Sequence, residues 1–127
     1  DAELVDAVLG ASYAMLQLAA VILMCDVRDL GRSVGDASGE TFLRLQARLR
    51  DPLPANFEPT VYLYDVYPGG IGLGEELFEQ HADLVARSRS HLEACACEHG
   101  CPSCIGPFRV YYSDLKAHAV ALLAALT

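Results

Sequence analysis

Positive charge is what this sequence has least of. Nine Lys and Arg stand against 17 Asp and Glu, for a formal net charge of −8 over 127 residues. A field of that sign does not gather phosphate, so any contact with nucleic acid has to be local. The first residues carry Asp1, Glu3 and Asp6, where a secretory leader would carry positive charge. There is no Gly-Lys-Thr/Ser phosphate loop and no DExH-type box, so nothing here hydrolyses ATP. No serine or cysteine lies in a nucleophile motif, and no paired carboxylates suggest acid–base work. Internal repeats, low-complexity linkers and a second domain are also missing. These absences leave a non-enzymatic domain over residues 1–127, a length that suits one domain and needs no staple to fold. The abrupt start suggests a fragment of a larger protein.

Apolar residues, by contrast, are plentiful at 53%, and some of that surface is expected to meet a partner or another domain. The run Ala7 to Met24 carries no charge, which raises the question of a membrane span. It is short for one, includes Gly10, Ser12 and Gln17, and has acidic flanks with no basic anchor. It reads instead as a central buried helix from about Ala2 to Met24, in a cytoplasmic protein without membrane contact. Cys25 to Gly39 is glycine-punctuated loop or short strand. Thr41 to Arg50 fits a helix or a half-buried strand equally, and Pro52, Pro54 and Pro59 end it. Thr60 to Val66 reads as a strand buried on both faces. A glycine-rich turn follows, then a helix from Glu75 to about Ala94. Leu77, Leu84, Val85, Leu92 and Cys95 share one face of that helix, and Glu79, Asp83 and Arg87 another. Phe108 to Tyr112 suggests a short strand. Ser113 is placed to cap a last helix, Asp114 to Leu126.

Four of the five cysteines fall in ten residues, Cys95-Ala96-Cys97-Glu98-His99-Gly100-Cys101-Pro102-Ser103-Cys104. Zinc takes four such ligands in a tetrahedron. Cys101-x-x-Cys104 has the spacing of a metal knuckle, with Gly100 free to take a positive φ and Pro102 stiffening the turn. Cys95 and Cys97 would point about 200° apart on a continuous helix, so the helix must end at about Ala94 to Ala96 for both to reach one ion. Four thiolates leave no open position for water, which makes such a zinc structural. Two disulfides would need an oxidising compartment, and a Cys101–Cys104 redox pair would leave Cys95 and Cys97 unexplained. His99 is a spare ligand that could displace Cys97. Cys25 reads as a buried thiol.

Asp65 ends the predicted strand just before Pro68-Gly69-Gly70-Ile71-Gly72. Strand, glycine loop and helix start is a phosphate-binding layout. The loop lacks a lysine, and Glu75 and Glu76 would repel phosphate. A tight turn with Asp65 accepting loop N–H bonds is the better reading. Arg87, Arg89 and Arg109 offer a small basic patch for nucleic acid, set against the plainer reading of solvated helix charge. Tyr111 and Tyr112 could stack bases. His81, His91 and His118 have no partner at metal or catalytic spacing.

The block Tyr64-Asp65-Val66-Tyr67-Pro68-Gly69-Gly70-Ile71-Gly72-Leu73, one helix before Cys95-x-Cys97-x-x-x-Cys101-Pro102-x-Cys104, resembles a known pattern. It is similar to the zinc-binding domain at the C-terminus of superfamily 2 DNA helicases related to mitomycin repair factor A, including the Hrq-type helicases. Cys25-Asp26-x-x-Asp29-Leu30 also resembles that family. The resemblance implies a small, helix-rich α+β domain with a short central sheet and a four-cysteine zinc knuckle. It implies one structural zinc on Cys95, Cys97, Cys101 and Cys104. It further implies an intact parent with ATP-driven 3′-to-5′ unwinding, whose motor domains and DNA are the partners. A protein-interaction module without nucleic-acid contact and a thiol redox protein are the alternatives. Alkylation separates the last of these: zinc-held thiols should react slowly until chelator is added, whereas fast reaction of two thiols without chelator would favour redox chemistry.

Overall fold

The structure, a computed structural model, describes residues 2–36, 59–67, 72–108, 111 and 113–126. Along these residues run α1 (Ala2–Leu23), a 3-10 turn (Val27–Asp29), β1 (Leu30–Asp36), β2 (Pro59–Asp65), α2 (Leu73–Glu79), α3 (His81–Ala94) and α4 (Leu115–Ala125). The expected α+β class is what forms. The ambiguous segment Thr41 to Arg50, with Pro52 and Pro54, lies outside the described residues.

α1 is the central element and touches every other one. By length and composition Leu4–Leu23 could cross a membrane. Here Ala7, Val8, Ala11, Ser12, Ala14 and Ala19 are buried inside this chain. Small side chains let α3, α4 and the loop after the cysteines approach closely, and Ala11 and Ala14 share a cluster with Leu92, Ile105, Leu115, Ala119 and Leu123. The one polar group buried on α1 is used. Ser12 Oγ donates to the Leu9 carbonyl at 2.8 Å and accepts from Arg32 Nη1 at 2.6 Å. Arg32 also lies over the Tyr13 ring, 5.5 Å from its centroid. This half-buried guanidinium, its pKa pulled down by burial, fastens β1 to α1.

The end of α1 is a left-handed cap. Met24 has φ 55°. Its N–H bonds the Val21 carbonyl at 3.2 Å, and the Cys25 N–H bonds the Ala20 carbonyl at 3.1 Å. That hydrogen-bond pair is a Schellman motif, which ordinarily has glycine at this position. The helix therefore stops one residue before its expected end.

β1 and β2 pair antiparallel, from Leu30 opposite Asp65 to Asp36 opposite Pro59. The region expected as loop or short strand thus supplies the 3-10 turn and β1. Asp26 opens that turn by accepting the Arg28 N–H at 2.9 Å. The same arginine beside it holds the Asp26 carboxyl down to about 2. Asp29 accepts from Tyr67 Oη at 2.7 Å, and its carbonyl accepts the Val66 N–H at 3.2 Å, so the turn is pinned to the end of β2. The expectation that β2 is buried on both faces fails. Val61 and Leu63 pack inward, but Tyr64 is 47% exposed. The sheet is two strands wide and the described elements cover one face of it. Tyr64 serves the other face by lying over Gly31 across the ladder, where any Cβ would clash with the ring.

The single helix expected over Glu75 to Ala94 is two helices. They break at Gln80, which has φ −106° and ψ 18°. The His81 ring, carrying its proton on Nδ1, donates to the Phe78 carbonyl at 2.8 Å. A straight helix would offer that carbonyl to the Ala82 N–H, so a side chain competes with the backbone ladder. The buried face is otherwise as expected: Leu77, Leu84, Val85 and Leu92 are inside. Ser88 joins them, back-bonded to the Leu84 carbonyl at 2.7 Å. α4 begins at Leu115 with Asp114 as its N-cap, and no side chain caps it, so Ser113 does not have the expected role. Phe108 and Tyr111 are in neither helix nor strand, and the rest of the strand expected at Phe108 to Tyr112 lies largely outside the described residues.

The Met24 cap yields a test. A non-glycine residue in the left-handed region costs roughly 1–2 kcal/mol, partly offset by the chain entropy glycine loses on folding. Met24→Gly should stabilise the zinc-loaded chain by about 0.5–1 kcal/mol, read as a higher urea midpoint at unchanged m-value. A lower midpoint would show that the cap geometry is wrong.

Candidate metal centre

The site is built where α3 stops. Cys95 leaves the helix with φ −68° and ψ 134°, its N–H closing the last turn on the Leu92 carbonyl at 3.3 Å. The break falls where the spacing of Cys95 and Cys97 requires it. Extended backbone at Cys95 turns Cys97 back toward the same side. The knuckle supplies the other two sulfurs. Cys104 N–H and Ile105 N–H both bond the Cys101 carbonyl, each at 3.2 Å. Gly100 takes φ 122°, and a Cβ there would run into Ile105 Cδ1, so the turn has room for glycine alone.

The four sulfurs converge. Cys95 and Cys101 lie 3.7 Å apart, Cys97 and Cys104 3.5 Å, and Cys101 and Cys104 3.6 Å. All four Sγ atoms lie within 4.8 Å of one another. A Zn–S bond of ~2.3 Å places tetrahedral sulfurs ~3.8 Å apart, which these separations match. Each sulfur thus faces a common centre, which suits one tetrahedral ion better than two paired thiols. His99 stays out of the cluster: its ring is exposed, with Nε2 3.6 Å from Glu98 Oε2.

The four sulfurs also share a partly buried setting that disfavours bare negative charge. Burial, then the neighbouring Cys97 and Cys101, push the Cys104 thiol up to about 12. Left without a cation, that thiol stays protonated across the neutral range. Only a cation at the centre makes four thiolates tenable there, and loading it must release protons. Cys104 is 1% exposed and packs with Ile105, Leu92 and Leu115, so the site is continuous with the core. Cys25 packs on the separate core cluster of Ala20, Leu30 and Leu77, and is half-buried rather than buried. Its thiol is raised by burial and by Asp29 and Asp26.

The residue that sequence reasoning missed is Lys116. Its Nζ donates to the Cys95 carbonyl at 2.8 Å and to the Cys97 carbonyl at 2.9 Å. Its backbone N–H takes the His99 carbonyl at 3.1 Å. A signal was there to be seen. A lysine in the first turn of a helix sits at the positive end of the helix dipole, where cations are disfavoured. Tyr111 is structural as well: its hydroxyl donates to the Gly106 carbonyl at 2.8 Å, and its ring meets Phe108 edge-on.

The remaining candidates stand apart from the cluster. Asp65 Oδ2 accepts the Leu73 N–H at 3.3 Å, at the start of α2. That is the tight-turn arrangement, with a carboxylate where a phosphate would have to sit. Gly72 enters α2 with φ 90°, while Gly69 and Gly70 lie outside the described residues. Arg87 pairs with Asp83 at 3.0 Å and Arg89 with Glu93 at 3.2 Å, one helical turn away in each case. Arg109 and Tyr112 are outside the described residues. His81 and His91 are exposed and His118 is half-buried.

Residues 11–105 match the profile of the MrfA Zn-binding domain. The chain belongs to this family. The chain is 36% identical over 98 residues to the uncharacterized ATP-dependent helicase YprA of Bacillus subtilis, covering 77% of this chain and 11% of that protein. It is 44% identical over 45 residues to the uncharacterized protein MJ1572.1 of Methanocaldococcus jannaschii, covering 35% of this chain and 40% of that one. The crystal structure of the DUF1998 helicase MrfA bound to DNA superposes on 100% of this chain and 15% of its own, with TM-score 0.76 and 30% identity. The same helicase bound to DNA and AMPPNP gives TM-score 0.66 over 93% of this chain, again at 30% identity. This MrfA zinc-binding domain therefore spans a small part of its helicase relatives. With the four-cysteine cluster, the family match supports a single structural zinc.

Metal content tests the site. Reduced protein should carry about one zinc per chain, and Cys101→Ser or Cys104→Ser should bring it toward zero, while Cys25→Ser leaves it unchanged. At free zinc of about 1,000 times Kd, chelation should lower the unfolding free energy by about 4 kcal/mol. Unchanged metal content in Cys101→Ser would remove that residue from the ligand set.

Proposed function

We propose that this chain is the zinc-binding accessory domain of a larger ATP-dependent DNA helicase, with Cys95, Cys97, Cys101 and Cys104 as the four ligands of its structural zinc. One observation carries the reading: the whole chain superposes on 15% of a helicase chain at TM-score 0.76. In the parent, motor domains hydrolyse ATP and separate strands 3′-to-5′. This domain packs on them and helps guide the displaced DNA. Zinc locks the end of α3 to the knuckle and, through α4, to α1, which makes the domain a rigid body able to transmit position. Exposed apolar side chains, among them Val21, Phe78 and Leu126, suit docking on the motor better than contact with water. Reduced thiols suit a cytoplasmic setting.

A second reading, docking without DNA contact, draws on the cations. Among the described residues, the exposed Arg28 and Arg87 and the half-buried Arg89 are all paired with carboxylates, and Lys116 is turned onto backbone carbonyls. Phosphate would have to compete with those partners. Binding of this chain to single-stranded and forked DNA across a salt series separates the two readings. Each phosphate neutralised on a single strand adds about 0.7 to the slope of log K against log salt. A slope of about 2 or more supports strand guidance by the domain itself, and a flat response assigns it to docking alone. The parent polypeptide should unwind a 3′-tailed duplex only with ATP, and failure to do so would sink the helicase reading.

A further inference from the structure

The cysteine cluster is held by more than its own knuckle. Lys116 is the chain's single lysine. It is the second residue of α4, whose first turn contains no acidic residue and whose one acid at that end is the exposed N-cap Asp114. The position is unfavourable for a cation unless negative charge lies nearby. What the ammonium bonds is the backbone segment between the first two ligands. Two of the three ammonium donors are spent on the Cys95 and Cys97 carbonyls, at 2.8 and 2.9 Å. The backbone N–H of the same residue takes the His99 carbonyl at 3.1 Å, so three bonds join one residue to the stretch from Cys95 to His99. Those three carbonyls belong to a segment in neither helix nor strand, which has no ladder of its own to fix it. Four thiolates around a divalent ion also leave a net charge of −2, and among the described residues Lys116 is the cation bonded to the ligand loop. The family match ends at residue 105, so this residue lies beyond it.

We propose that Lys116 is a positioning residue of the zinc site, fixing the Cys95–Cys97 segment through its two carbonyls and offsetting the negative charge of the tetrathiolate. The proposal rests on the zinc reading above. Zinc affinity is measured by competition with a chromophoric chelator on the full 127-residue chain, for the wild type, Lys116→Met, Lys116→Arg and Val120→Ala. Met keeps the alkyl stem and removes the charge and the donors. Val120→Ala weakens the packing of α4 on the same core without touching the ligand loop. Partners that orient ligands typically cost 10–100-fold in affinity when lost. Lys116→Met should lose that much, Val120→Ala should stay within about threefold of wild type, and Lys116→Arg should recover at least half the loss on a logarithmic scale. With cobalt in place of zinc, the thiolate-to-metal charge-transfer band of Lys116→Met should also shift. Affinity of Lys116→Met within twofold of wild type overturns the proposal and leaves the zinc reading intact. An equal loss in Val120→Ala, or no recovery in Lys116→Arg, also overturns it by reducing Lys116 to general packing. A wild-type chain without zinc overturns both readings. If Lys116→Met does not fold, Lys116→Leu, which drops the charge and every donor, takes its place under the same criteria.

Discussion

Everything in this domain turns on a direction problem at the end of α3. One ion needs four sulfurs around it, and a helix cannot present Cys95 and Cys97 on one side. The chain solves this by leaving the helix at Cys95, with ψ 134°, at the point where the core still holds Leu92 completely buried. The helix is anchored up to its last turn, and the segment just beyond it is released from the helical ladder to be held by Lys116. Cys104 then carries the site back into the core beside Ile105 and Leu115. Metal binding and hydrophobic packing are therefore one cooperative unit: loss of the ion releases the segment that positions Ile105, and loss of the core releases the knuckle.

How much of this could be read beforehand depended on range. The break near Ala94 followed from the spacing of two cysteines, because the constraint acts within three residues. Asp65 as a turn acceptor and Gly100 as a positive-φ residue were legible for the same reason. The half-exposed face of β2 was not, since Thr60 to Val66 reads as β-branched and aromatic whichever layer covers it, and Tyr64 is placed by Gly31 from another strand. Nor was the break at Gln80, where no proline or glycine stands and a histidine ring takes a carbonyl from the backbone. Lys116 was missed because its partners are 19 and 21 positions away and are backbone atoms, which side-chain motifs do not display.

The charge balance shapes how the domain can meet other molecules. Acidic groups do several structural tasks: Asp26 opens the 3-10 turn, Asp29 holds Tyr67, and Asp65 meets the start of α2. Arginines answer acidic neighbours on the same element at Arg28, Arg87 and Arg89, or neutral partners at Arg32. The positive charge of the described residues is thus largely committed within the fold, while apolar side chains such as Phe78 and Met24 face outward. Surfaces of that kind favour adhesion to another protein surface over attraction to a phosphate chain.

The central place of α1 has a consequence for the order of assembly. Its residues Ala11 and Ala14 share a core with Leu115, Ala119 and Leu123, from the opposite end of the sequence. The earlier-made α1 must wait for the later-made α4. Until α4 leaves the ribosome, an apolar helix has no finished cover, and such surfaces invite aggregation or chaperone capture. The cysteines emerge between the two, but Leu115 and Lys116, which pack and bond against them, belong to α4, so the cluster too is completed only when that helix arrives. A filled metal site then marks a chain whose α1, α3 and α4 have already come together.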